Sequence, residues 1–162
     1  MRTMMCAALG AAMLLCSSPG RAEGDTAALA GQMKQVKVTL EQGLTASSSK
    51  GKPISGKFEL EDGKLQLSVY TAKGSDYSEV IVDPRTGKVA KAEPITGGDD
   101  LTAAKAQADA LGAAKTPLKA AVQKAVKENK GYRAVSVTPS MEGRPSQCGG
   151  DAAQRQRDEE RH

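Results

Sequence analysis

The chain has no tryptophan, one phenylalanine (Phe58) and three tyrosines among 162 residues, and its one histidine, His162, is the last residue. So few rings leave little on which bases or sugars could stack. A terminal histidine removes the usual Ser–His and Cys–His nucleophile systems and the common zinc sites. The paired carboxylates Asp99-Asp100 and Glu159-Glu160 read as a helix cap and a solvated tail, not as an acid and a base. Asp99-Asp100 also falls short of a calcium site, which needs roughly six converging oxygens and, in an EF-hand, a fixed spacing. The expectation is therefore a chain that is not an enzyme, with no catalytic residues, no metal ligands and no cofactor.

A large charge of one sign is missing too. The formal charge is +4 for the whole chain and +2 once Arg2 and Arg21 leave with the leader. That is too small to argue for nucleic acid as a partner. No apolar run reaches the roughly 20 residues that span a bilayer. The longest, Met4 to Cys16, follows Arg2 and precedes Ser17-Ser18-Pro19-Gly20-Arg21-Ala22. A positive start, a short apolar stretch and small residues before a cleavage point make a secretory signal, with cleavage expected between Ala22 and Glu23. An uncleaved anchor fits its length less well, and a lipoprotein signal is disfavoured because Leu15 precedes Cys16. The expected location is the periplasm or the exterior of a bacterium. Of three cysteines, Cys6 and Cys16 belong to the leader, so Cys148 is left as a free thiol or an intermolecular one.

What is present is period-two alternation with strong turn signals. Residues 23 to 35, rich in Ala, Gly and Gln, read as a loose leader with order beginning near Val36. Thr39 and Gln42 make a capping box ahead of a short helix in which Leu40 and Leu44 share a face and Gly43 is a weak point. Three strands follow. Ile54, Phe58 and Leu60 alternate with polar residues, as do Leu65, Leu67 and Val69, and then Val80 and Val82. Asp62-Gly63 marks a tight hairpin, and Lys73-Gly74-Ser75-Asp76 a second turn. The polar hexapeptide Asp83-Pro84-Arg85-Thr86-Gly87-Lys88 reads as a bend, with Asp83 accepting backbone N–H bonds and Gly87 supplying positive φ.

Pro94 to Asp100 reads as a linker, and Asp99 or Asp100 as the cap of a helix whose Leu101, Ala104, Ala108 and Leu111 share a face. Thr116 as cap and Pro117 as first helical residue open another helix, apolar at Leu118, Val122, Ala125 and Val126. Lys115, Lys119, Lys124, Lys127 and Lys130 fan over its other side, a solvated face or a contact for an acidic partner or anionic lipid. Tyr132 to Thr138 reads as a last strand. The second half echoes the first: Gly51 and Gly131, like Gly63 and Gly143, are 80 residues apart.

The stretches VTLEQGL, FELEDGKLQLSVYT and EVIVDPRTGKV, in that order over Val36 to Pro94, resemble a PepSY domain. The resemblance implies a small α+β module of exported bacterial proteins and protease propeptides, which restrains a peptidase or binds another partner and has no catalytic residues to carry across. The expected organisation is a signal peptide at 1–22, a PepSY-like unit at 36–95, a helical segment with a partial second unit at 96–145, and a disordered tail at 146–162. The fold class is α+β: a short helix, a three-stranded antiparallel meander, then two helices and a strand. A complete second unit would carry two more strands after Arg144. The polar SQCGGDAAQRQRDEERH there has the composition of disorder and points to a truncation or a shifted reading frame. The expected function is an exported module that binds or inhibits an unidentified protein partner, a peptidase among the candidates. The alternative is an envelope-associated protein that meets anionic lipid or another protein through its lysine-rich helix.

Overall fold

The computed structural model describes residues 20–141, with side chains from residue 27 onward. The apolar leader up to residue 19, Cys148, His162 and the polar tail lie outside the described residues. The fold is α+β: the described residues form four helices and a five-stranded antiparallel sheet in the order β4-β3-β2-β1-β5. The elements are α1 (Gly20–Met33), α2 (Leu40–Ser47), β1 (Lys52–Glu61), β2 (Lys64–Lys73), β3 (Asp76–Val82), β4 (Val89–Pro94), α3 (Gly98–Ala113), α4 (Leu118–Glu128) and β5 (Ser136–Val137).

The meander forms where the turn chemistry asks for it. Asp62 and Gly63 both take positive φ, 49° and 73°, and close the β1–β2 hairpin with Glu61 opposite Lys64. Gly74, with φ 64°, turns β2 into β3. The registers then set Phe58 beside Leu67 and Leu67 beside Val82, and Gly56 beside Val69 and Val69 beside Val80. Those residues face one side, and α2 lies on them. The capping box is intact: Thr39 Oγ1 accepts from the Gln42 N–H, and Gln42 Oε1 accepts from the Thr39 N–H at 2.8 Å. Leu40 and Leu44 are each 1% exposed, and burial of each contributes about 1.5–3 kcal/mol.

Gly43, a weak point by helix propensity, is a packing requirement in three dimensions. A Cβ there would sit 2.0 Å from Leu67 Cδ2, in a side chain that is itself fully buried. The helix approaches the sheet closely because residue 43 has no side chain. On the same face Gly56 leaves room for Leu44 and Leu40.

Several expectations are corrected. The loose leader of residues 23–35 is largely the helix α1, which contacts β1 and β2. Leu29 and Met33, four residues apart, pack on the core, and Gly31 between them obscures the pattern. The linker Pro94 to Asp100 is shorter than expected, since Pro94 ends a fourth strand and Gly98 begins α3. Neither Asp99 nor Asp100 caps that helix. Gly97 is the N-cap, without a side-chain bond, and both aspartates sit in the first turn, where negative charge suits the helix dipole. Thr116 does not cap α4: Pro117, extended at ψ 145°, is the N-cap, and Thr116 stands one residue too far out. The last strand is Ser136–Val137 rather than Tyr132 to Thr138. It pairs with β1 at Gly56 and Lys57, and Phe58 N–H adds a bond to the Val135 carbonyl at 2.8 Å.

Arg133 is diverted from that strand to a different task. Its guanidinium donates to the carbonyls of Met33, Val36 and Val38 at 3.5, 2.9 and 3.1 Å. The first of these is a terminal carbonyl of α1, which has no acceptor role inside the helix.

α3 lies on the opposite side of the sheet. Ser55 and Tyr70, the chain neighbours of Gly56 and Val69, point away from α2 and bond to α3. Ser55 Oγ donates to Gln107 Oε1 at 2.6 Å, and Tyr70 Oη donates to Asp100 Oδ1 at 2.8 Å. Ala104 is fully buried there, and α4 packs beside α2 with Leu118 and Val122 in the shared core.

Gly43→Ala should therefore cost about 1–3 kcal/mol by overpacking Leu67, where helix propensity alone would make alanine stabilising. Urea unfolding measures it, and a gain in stability would contradict the close approach. Arg133→Met should lose about 1.5–3 kcal/mol in the same assay, and Arg133→Lys should recover only part of that, because one ammonium cannot match a planar fork.

Candidate functional site

The sequence names two places to look: the polar turn after β3 and the lysine-rich helix. The turn is a structural bend. Asp83 Oδ1 accepts from the N–H groups of Arg85 and Thr86, both at 2.8 Å, and the Asp83 carbonyl accepts from Gly87 N–H at 2.8 Å. Gly87 has φ 73°, and Asp83 N–H donates to the Lys88 carbonyl at 2.9 Å. The backbone bonds from Thr86 and Arg85 hold the Asp83 carboxyl below its usual value. Arg85 reaches Gln35 Oε1 at 2.7 Å. The carbonyl of Pro84 accepts from both Lys37 and Val38 N–H, at 3.1 and 3.2 Å, so the bend also anchors the connection into α2.

The lysine face is smaller than expected. Lys115 precedes α4 and Lys130 follows it, so the helix itself carries Lys119, Lys124 and Lys127. Lys124 lies 3.9 Å from Glu128, one turn on. Lys119 turns toward α2, where its Nζ donates to Thr45 Oγ1 at 2.9 Å.

That bond closes one side of a groove of about 530 Å³, within the size range of ligand pockets. It opens between the C-terminal half of α2, the start of β1 and the α3–α4 connection. Leu44, Pro53, Leu111 and Leu118 supply apolar surface, and Lys52, Lys115 and Lys119 line it with ammonium groups. Three hydroxyls, of Thr45, Ser48 and Thr116, complete its polar side. Two of them have spent their hydrogens on α2 itself: Thr45 Oγ1 donates to the Glu41 carbonyl at 2.7 Å and Ser48 Oγ to the Thr45 carbonyl at 2.6 Å. Toward the groove these oxygens offer lone pairs, one of which on Thr45 is taken by Lys119. Among the described residues, no Asp or Glu lines the groove.

The other face of the sheet, beyond α3, carries charges in pairs. Lys57 and Glu59 lie 2.6 Å apart, and Lys91 and Glu93 2.8 Å. Gln66 Nε2 donates to Glu59 and Ser68 Oγ to Glu79. Burial, then the bond to Asp100 and the charges of Asp100, Glu79 and Glu59, pushes the Tyr70 phenol above its usual range. Its raised value follows from its place under α3.

Among the described residues no three His, Cys, Asp or Glu side chains converge to hold a metal, and no helix is long and apolar enough to cross a membrane. The expected cleavage point, Ala22 and Glu23, falls within the span of α1. Sequence reasoning did not find the groove. Lys119 and Thr45 are 74 residues apart, and Lys52 reads locally as the polar start of a strand.

The bend gives a pH test with a defined sign. A carboxyl lowered by folding stabilises the protein above its unfolded value, here 3.8, and loses that contribution as pH falls through the lower folded value. The melting temperature of Asp83→Asn should lie below that of the parent at neutral pH, and the gap should close below about pH 3.8. A gap unchanged down to pH 2 would rule out the charge as its source. No family model matches the chain, and no curated protein or solved structure matches it either.

Proposed function

We propose that this protein is an exported, non-enzymatic PepSY-like module that binds a partner protein and restrains it, the partner that the resemblance implies being a peptidase. The observation that carries the reading is the way polar groups are used. The turn carboxylate, the shifted tyrosine and the Arg133 fork all hold backbone or helices in place. The groove beside α2, by contrast, joins apolar surface to cations and hydroxyl lone pairs, which suits holding a ligand. Export rests on the leader, and restraint of a peptidase rests on the resemblance. The alternative, contact with anionic lipid through α4, has less to work with, because Lys124 lies beside Glu128 and Lys115 and Lys130 stand outside the helix.

The test is direct. Peptidases of the same compartment are assayed with and without micromolar excess of the full chain, alongside sedimentation with anionic vesicles. At least one peptidase should lose activity in proportion to added protein, with a complex visible by size exclusion. Unchanged activity across the panel, together with salt-sensitive vesicle binding, would replace this reading with the lipid one.

A further inference from the structure

We infer that the groove between α2, β1 and the α3–α4 connection receives the free C-terminal carboxylate of a peptide whose last side chain is apolar. The inference deepens the partner-binding reading and rests on it. Its first support is charge. Lys52, Lys115 and Lys119 surround the groove and, among the described residues, no carboxylate lines it, so an anion is attracted and a cation is not. The start of α4 adds to this. Pro117 gives the helix no side-chain cap, and Pro117, Leu118 and Lys119 all line the groove. The first N–H groups of a helix have no acceptor inside it.

The apolar surface narrows the ligand further. Leu44, Pro53, Leu111 and Leu118 lie in the same recess as the ammonium groups. One ligand residue must therefore present an anion and an apolar group together. A C-terminal residue does so, with carboxylate and side chain on one Cα, whereas an aspartate or glutamate side chain brings charge alone. The hydroxyls distinguish a peptide from a fatty acid. Thr45 and Ser48 have donated their hydrogens to α2 carbonyls, and Thr45 already accepts from Lys119, so what the pair, Ser48 above all, offers the groove is acceptor capacity. Peptide N–H groups match that, and an acyl chain has none.

The experiment uses the full chain and an acetylated tetrapeptide ending in leucine, with a free carboxylate or as its C-terminal amide, followed by amide-resonance NMR titration. The carboxylate form should shift resonances at residues 45–48 and 115–120 and bind about tenfold more tightly than the amide, the loss expected when charge-assisted hydrogen bonds are removed. Raising salt from roughly 0.05 to 0.5 M should weaken it, since the lysines are solvent-accessible. Lys115→Gln with Lys119→Gln should weaken binding severalfold, with the thermal melt serving as the folding control. Equal binding of acid and amide, shifts elsewhere, or binding of laurate at these residues without the peptide would each overturn the inference. Retained peptidase inhibition by the Lys115→Gln/Lys119→Gln chain would also overturn it, while leaving the partner-binding reading in place.

Discussion

Six residues connect α1 to α2, and almost everything else in the fold is hung from them. From one side Arg133 brings a guanidinium to the carbonyls of Met33, Val36 and Val38. From the other the Pro84 carbonyl takes the N–H groups of Lys37 and Val38. A segment with no helix or sheet of its own must satisfy its backbone polar groups some other way, and here two distant parts of the chain do it. The consequence is long-range order: the bend after β3 and the run before β5 are both tied to the start of α2. Val36 and Val38 are then buried on the core, and the capping box at Thr39 begins the helix at a set height over the sheet.

That height is what the glycines permit. With no side chain at residue 43, α2 lies against Leu67, and with none at Gly56 its leucines lie against β1. A helix seated this deeply has its last turn near the start of β1, and α4 can pack beside it through Leu118 and Val122. The groove is the space left where these packings diverge, walled by the end of α2, the start of β1 and the loop after α3. Its lysines come from the first residue of β1, the α3–α4 connection and the first turn of α4, and the packing of α4 beside α2 brings the last two near the first.

This explains which parts of the structure were legible in the sequence. The hairpin at Asp62-Gly63, the capping box at Thr39 and the bend at Asp83 are decided by bonds between residues two or three apart, and each forms as its residues suggest. α1 was hidden because its signal is a single apolar pair, Leu29 and Met33, which has meaning only when a sheet is present to receive it. β4 shows little in the sequence because an edge strand exposed along most of its length has no buried apolar face to announce it. The apparent strand from Tyr132 pairs with β1 only at Ser136–Val137, while Arg133 before it is bonded to three carbonyls of α1 and the α1–α2 connection, a partnership about a hundred residues away in the chain. The groove had no local signature at all, since Thr45 and Lys119, bonded across it, lie 74 residues apart.

The sheet edges bear on where a partner could dock. Ile95 N–H bonds to the Tyr77 carbonyl at 2.9 Å, so alternate residues of β4 turn their polar groups toward β3 and Pro94 turns its nitrogen outward. A proline there removes a donor that an added strand would need, and Lys91 and Glu93 put charge on the same strand. At the other edge β5 already occupies β1 at Gly56 and Lys57 and itself offers only two residues. Strand addition is thus disfavoured at both ends. The charged face beyond α3 has its lysines beside its own glutamates, so a partner there would displace existing pairs before gaining new ones. The groove beside α2 asks for less: the Lys119–Thr45 bond uses one of the ammonium's three hydrogens, and a ligand that brings a carboxylate, N–H donors and an apolar side chain meets the lysines, the Ser48 oxygen and the apolar wall.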